Sequence, residues 1–196
     1  MHTYYIIYKP YLAVSQFSPL DGKKTLADYF SLPKDVYPVG RLDHDSEGLL
    51  LLTNDTALNS LLLHPVNKHN RTYWVQVEGN ISQSAIGRLE KGIKISIDGK
   101  PHKTLPASVH IIEEPKLPPR NPPIRVRQTV PTSWISITLT EGKNRQVRRM
   151  TAAAGYPTLR LVRYSIEDIS LEILENGTTL ELSKKEAYRL LRLANI

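Results

Sequence analysis

A chain of 196 residues with 40% hydrophobic content is long enough to bury one large core or two small ones. It has no cysteine, which excludes disulfides and thiolate metal sites, and no apolar run near the length of a membrane span. Lysine and arginine number 26 against 19 acids, a net charge of +7, which suits a polyanion such as nucleic acid but also an ordinary basic soluble protein. The start, Met1 to Tyr5, lacks the basic-then-apolar pattern of a signal peptide, so a cytoplasmic protein is expected.

Tyr4 to Tyr8 is a β-rich run stopped by Lys9-Pro10 and reads as a strand and a turn. Lys24 to Phe30, apolar at Leu26, Tyr29 and Phe30, predicts a brief helix. The densest signal lies at residues 38–55. There Gly40 and a charged cluster, Arg41 to Glu47, stand directly before Leu49–Leu52. A short, wholly apolar run closed by Thr53-Asn54-Asp55 predicts a strand buried on both faces, with the charged cluster held at the sheet edge. Asp55 to Leu63 places Leu58, Leu61 and Leu62 on one helical face, ended by His64-Pro65.

Arg71 to Gly79 alternates, with Tyr73, Val75 and Val77 on one face of a strand. Ser82 caps a helix holding Ile86 and Leu89, and Gly92 closes it. Ile93, Ile95 and Ile97 alternate up to a hairpin turn at Asp98-Gly99, with the returning strand expected from about Leu105 to Ile112. Pro115 to Pro131 holds six prolines and the bases Lys116, Arg120, Arg125 and Arg127. It reads as a stiff, extended, basic loop, either a plain surface connection or an RNA contact, with RNA the favoured of the two.

Ile135, Ile137 and Leu139 mark the next strand. Asn144 is positioned to cap a helix that ends at Gly155, with Val147, Met150 and Ala154 facing the core. Arg145, Arg148 and Arg149 gather near that helix's start, where the dipole disfavours positive charge, as if placed for a partner. Leu159 to Ile166 reads as a strand carrying Arg160 and Arg163. A second hairpin is expected from Ile169–Leu174, Asn176-Gly177 and Thr178–Leu182. The last helix opens on a capping box, Ser183 and Glu186, and buries Ala187, Leu190, Leu191 and Ala194. Hairpins alternating with isolated helices predict an α+β fold, mainly antiparallel.

Three chemistries compete for residues 41–55. Asp43, Asp45, Glu47 and Gly48 imitate the opening of a calcium loop, but a leucine run follows and Asn54 stands where a bidentate glutamate is needed. His44, His64 and His69 match no metal-ligand spacing. The third reading is a lone carboxylate, Asp43, kept ionised by an arginine and able to act as a nucleophile. The residues alone leave it level with a structural salt bridge from Asp43 to Arg41 or Arg148.

Three ordered motifs bear on that choice. Gly40-Arg41-Leu42-Asp43 with Ser46-Glu47-Gly48-Leu49-Leu50-Leu51-Leu52-Thr53-Asn54, the strand with Tyr73, and Glu141 to Met150 followed by Gly155-Tyr156-Pro157 and Leu159 to Arg163 resemble ribosomal RNA pseudouridine synthases of the RsuA type. Arg120 to Arg125 with Pro131 to Trp134 is similar to the large-subunit (23S) rRNA branch of that family, the RluE branch. The resemblance implies a single catalytic domain over residues 1–196, with two subdomains flanking a central cleft and no S4 RNA-binding domain. It implies Asp43 as the catalytic aspartate, Tyr73 as the aromatic on the target base and proton acceptor, and Arg148 as the basic residue paired with the aspartate. Arg41 would lie beside the flipped nucleotide and Leu161 would line the pocket. Arg120, Arg125, Arg127, Lys143, Arg145 and Arg149 are expected to contact RNA. Two departures stand out: Glu167 where relatives usually have glycine, and Arg145 in place of a histidine.

The implied reaction breaks the uridine N-glycosidic bond, turns the uracil and rejoins it through carbon, so no cofactor and no metal are expected. The base must first leave its stack. Asp43 would attack the ribose anomeric carbon, attack the uracil ring, or assist elimination; Tyr73 would take the proton from carbon. Taken singly, Tyr73 is equally a core aromatic, Arg148 a solvated charge, and Arg41 a bridge to Asp45 or Glu47. The expected partner is ribosomal RNA or an assembling large subunit, met by a monomer without a membrane. A non-enzymatic RNA-binding protein and a DNA-binding module are the alternatives; no helix-turn-helix or zinc pattern supports the latter.

Overall fold

The computed structural model describes residues 2–124, 129–174 and 178–193. They fall into two units, Met1–His69 with Arg163–Ile196, and Asn70–Val162. In the first unit the chain forms β1 (Tyr4–Lys9), β2 (Ala13–Val14), β3 (Lys24–Thr25), a single 3-10 turn (Leu26–Asp28), β4 (Tyr37–Pro38), β5 (Glu47–Thr53) and α1 (Thr56–Leu63). The second unit holds β6 (Arg71–Glu78), α2 (Gln83–Glu90), β7 (Lys94–Ile97), β8 (Lys100–Lys103), β9 (Ser108–Ile112), β10 (Thr132–Leu139) and α3 (Gln146–Ala153). Strand β11 (Thr158–Ile166) starts in the second unit and ends in the first, which the chain completes with β12 (Ile169–Ser170), β13 (Thr179–Leu182) and α4 (Lys184–Leu190). The fold is α+β and mainly antiparallel, as the pattern of hairpins and isolated helices indicates; β2 and β3 pair in parallel.

In the first unit β1 lies between β13 and β5 and is antiparallel to both. All seven residues of β5 are buried. Its leucines alternate between two cores: Leu49 and Leu51 pack with Leu58, Leu62, Tyr188 and Leu191, while Leu50 and Leu52 pack with Leu26, Phe30 and Val36. Each fully buried leucine contributes about 2 kcal/mol relative to exposure, so the strand that follows the charged cluster is rigid. Asp55 caps α1 by accepting from the Ala57 and Leu58 N–H groups, and its other oxygen accepts from the buried Tyr4 and Tyr188 hydroxyls at 2.7 and 2.8 Å.

In the second unit β6, β10 and β9 form an antiparallel ribbon with Tyr73 opposite Ile137 and Val75 opposite Ile135. Helix α2 is capped by the Ser82 hydroxyl and closed by Gly92 at φ +80°. A Cβ on Gly92 would stand 2.2 Å from the Thr104 carbonyl oxygen, so that turn admits no side chain.

Four local expectations are corrected. Lys24 to Phe30 is a strand residue pair and one 3-10 turn, Leu26–Asp28, opened by a capping box in which the Asp28 carboxylate accepts from the Thr25 N–H and closed at Tyr29. The partner of β7 is Lys100–Lys103; Thr104 then turns the chain, bonding Ile93 with both its N–H and its hydroxyl, and β9 joins β10. Ile169–Leu182 is not a hairpin. Strand β12 pairs back on β11, Leu171–Leu174 winds as a 3-10 turn that buries Leu174, and β13 pairs with β1. The expected turn Asn176-Gly177 and the expected buried Ala194 lie outside the described residues. Finally, Asn144 does not cap α3: Arg145 holds the cap position at φ 50°, and the Asn144 side-chain oxygen accepts from Arg149 instead.

Candidate functional site

Asp43 lies in the loop that runs directly into β5, and the backbone is pinned on both sides of it. Ser46 N–H donates to the Asp43 carbonyl at 3.0 Å, closing a turn. Leu12, at a left-handed φ of 62°, donates its N–H to the His44 carbonyl at 2.9 Å. The Ser15 hydroxyl donates to the Leu42 carbonyl at 2.8 Å and accepts from the Leu42 N–H at 3.1 Å. Ser15 and Leu42 are both buried, so one hydroxyl satisfies the two backbone groups that a neighbouring strand would otherwise satisfy. Asp43 itself is half-buried and Arg41 is exposed.

The charged residues around Asp43 divide by environment. Lys9 is wholly buried and its ammonium donates to the Ala13 and Pro10 carbonyls at 2.6 and 3.0 Å. Burial pushes its pKa down to about 8, against the opposing pull of Glu47, Asp45 and Asp43. Glu47 is buried and accepts from the Tyr8 hydroxyl at 3.1 Å. Arg163, also buried, donates Nε to the Leu49 carbonyl at 2.8 Å. Lys9, Glu47 and Arg163 thus build the floor of the loop.

In the second unit, Tyr73 shares its strand face with Val75 and Val77 and packs, partly buried, against the hydrophobic core. Leu161 belongs to the same core and is buried. Arg148 is half-buried on α3, while Lys143 and Arg145 are exposed on the loop before it. That loop is set by two side chains that the sequence did not single out. Gln146, buried, accepts from the Lys143 N–H at 2.9 Å and donates to Glu141 at 2.6 Å. Glu141 also accepts from the Leu105 N–H at 2.7 Å and lies 3.2 Å from His102 Nε2.

Two expected RNA contacts are engaged within the protein. Arg149 donates to the Ser96 carbonyl and to Asn144. Arg120 donates to the Pro122 carbonyl at 3.0 Å and the Leu159 carbonyl at 3.3 Å, and Arg160 donates to the Pro118 carbonyl at 2.8 Å, so the proline-rich segment is fastened to β11. Arg125 and Arg127 lie outside the described residues. Glu167 does occupy a backbone position that favours glycine, φ 47°; its carboxylate lies 3.1 Å from His69 Nδ1. Among the described residues no group of His, Asp and Glu forms a metal cluster, and no helix is long and apolar enough to cross a membrane.

Ser15 and Lys9 carry no periodic or motif signal, and their roles appear only once Leu42 and Ala13 are folded against them. Gln146 was legible in principle, as a polar residue on the core side of an amphipathic helix.

An α+β chain with an aspartate pinned before a buried strand, a half-buried strand tyrosine and an arginine-rich helix start fits a class of RNA-modifying enzymes. The model of RNA pseudouridylate synthases matches residues 3–153, a span that includes Asp43, Tyr73 and Arg148. The chain belongs to this family. Within it, the chain is 52% identical over 177 residues to the ribosomal large subunit pseudouridine synthase E of Vibrio parahaemolyticus, covering 90% of this chain and 72% of the relative. The protein of the same name from Xanthomonas axonopodis pv. citri is 52% identical over 172 residues, with coverage of 86% and 88%. A crystal structure of a pseudouridylate synthase superposes with a TM-score of 0.77 at 27% identity, over 97% of this chain and 74% of that one.

Proposed function

We propose that this protein isomerises a specific uridine to pseudouridine in large-subunit (23S) ribosomal RNA, acting as a cytoplasmic monomer without cofactor. The observation that carries the reading is the family match across Asp43, Tyr73 and Arg148, together with half-identical relatives named as large-subunit enzymes.

The target base leaves its stack before reaction. Asp43 is the nucleophile, and Arg148 is the cation that keeps it ionised. The Asp43 carboxylate bonds to the ribose anomeric carbon as that carbon's bond to uracil N1 breaks, and the turned uracil then displaces it, the bond to C5 forming as the bond to Asp43 breaks. The proton lost from C5 passes to the Tyr73 oxygen as that hydroxyl gives its own proton to solvent, and N1 regains one from solvent, so atoms and electrons balance with nothing oxidised. Tyr73 also stacks on the uracil, an interaction worth about 1–3 kcal/mol per base. Arg41 and Leu161 flank the extruded nucleotide. Arg120, Arg125, Arg127, Lys143 and Arg145 form the basic surroundings through which the RNA backbone passes, while Arg149 is taken up by Ser96 and Asn144. The pinned backbone around Asp43 supports this assignment, because a carboxylate that must meet one atom of an extruded nucleotide gains from a fixed origin.

The test is to map pseudouridines in rRNA from cells with and without the gene. One large-subunit site is expected to revert to uridine in its absence and to return with the wild-type gene. An unchanged pseudouridine map would overturn the reading.

A further inference from the structure

The β7–β8 hairpin carries Lys94, Lys100 and Lys103, all exposed, with Asp98 at the turn as its single acid. The register sets Lys94 directly opposite Lys103. Side chains alternate between faces along each strand, so this pair lies on the face turned away from buried Ile95 and its partner His102. Like charges directly opposite one another destabilise a strand pair. None of the three lysines has an ion-pair partner among the described residues.

The hairpin is also fixed to the basic loop before α3, at two points. On β7 the Ser96 carbonyl accepts from Arg149. On β8 the His102 ring lies 3.2 Å from Glu141, which Gln146 in turn holds. These contacts consume Arg149 and Glu141 internally and leave Lys94, Lys100, Lys103, Lys143 and Arg145 exposed on elements tied to one another.

We propose that the solvent face of this hairpin grips the RNA phosphate backbone through Lys94 and Lys103, with Arg149 positioning the hairpin rather than touching RNA. The proposal rests on RNA being the substrate and adds a surface outside the catalytic motifs. A polyanion laid across this face neutralises a like-charge pair that costs stability in the free protein. Protein partners would be served by a mixed surface with apolar anchors; here Ser96 and Pro101 are the only neighbours on that face of the hairpin.

The test uses the full chain and an unmodified in vitro transcript of 23S rRNA. Binding is measured from 50 to 300 mM KCl for the wild type, for Lys94→Ala/Lys103→Ala, and for the charge-matched control Lys34→Ala/Lys185→Ala. Two lost phosphate contacts should make the slope of log K against log salt shallower by about 1.4–1.8. KM for the transcript should rise roughly tenfold, with the loss falling on KM rather than kcat. Thermal stability of the free hairpin variant should be equal to or above wild type. An unchanged slope, or an equal change in the control, overturns the hairpin surface while leaving the enzyme reading intact. A wild type that binds the transcript but forms no pseudouridine counts against the enzyme reading, and the slopes still decide the surface.

Discussion

Replacing Asp55 by alanine should destabilise the protein more than any other single polar change in the first unit. The carboxylate caps α1 through the Ala57 and Leu58 N–H groups, a contribution of about 1 kcal/mol. It is also the acceptor for the Tyr4 and Tyr188 hydroxyls, both on buried residues from β1 and α4. Each hydroxyl left without its acceptor costs about 1–3 kcal/mol, so the sum is about 3–7 kcal/mol, a large share of a typical total of about 5–15. Asp55→Asn keeps an acceptor and should cost less, about 1–2 kcal/mol. Burial opposes the charge on Asp55, but the bonds from Tyr4, Tyr188 and Leu58 outweigh it and hold the pKa below the usual carboxylate value. Its contribution is therefore present above the unfolded carboxylate range, near pH 4, and is lost as pH falls through the depressed folded value. The tyrosines run the other way: burial and the Asp55 bond push Tyr188 up to about 12, so their contribution is complete below about pH 10 and is lost as pH rises through the folded value. Urea unfolding followed by far-UV circular dichroism at pH 3 to 11 measures this. A loss under 1 kcal/mol for Asp55→Ala, or an acid limb unchanged in Asp55→Asn, would refute the reasoning.

Ser15→Ala leaves the Leu42 N–H and carbonyl without their partner. It should lower kcat by about 10- to 100-fold, since small misplacements of a reacting group have effects of that order, with RNA affinity within twofold of wild type. Hydrogen exchange should show lost protection at the Leu42 amide, and Ser15→Thr should restore part of the rate; full activity in Ser15→Ala would show that the clamp does not position Asp43. Gly92→Ala should be poorly folded or lose about 2 kcal/mol or more, because it combines a left-handed backbone with a clash on Thr104; a melting temperature equal to wild type would contradict that geometry. Gln146→Ala should free the loop from Lys143 to Arg145 and weaken RNA binding without changing the helix content measured by circular dichroism; unchanged binding would show that the loop's order is irrelevant to RNA.

Much of the fold could be read from local patterns because local physics fixed it. The run Leu49–Leu52 is buried on both faces as its composition demanded, Ser82 and Ser183 cap the helices they precede, and Gly92 and Gly155 close theirs at positive φ. The errors arose where a side chain bonded backbone distant in sequence or where two strands shared one pattern. The strand that returns on β7 is Lys100–Lys103, ahead of the expected Leu105–Ile112; Thr104 turns the chain between the two, and nothing in Leu105–Ile112 reveals that its partner is β10. Asn144 is a good cap by residue type, yet Gln146 and Arg149 hold that loop by other means. At the site, the motif residues were visible by type and spacing, whereas the parts that fix the backbone around Asp43, Leu12 on His44 and Ser15 on Leu42, depend on tertiary contacts.

The most direct test of the central claim is single-turnover isomerisation of the 23S rRNA transcript by Asp43→Asn, an isosteric change that removes the nucleophile's charge. The account predicts that the variant binds the transcript within about threefold of wild type, since Asp43 makes no favourable phosphate contact. It also predicts that no pseudouridine forms over a time in which wild type reacts completely. Pseudouridine formed by Asp43→Asn at a rate near wild type would contradict it.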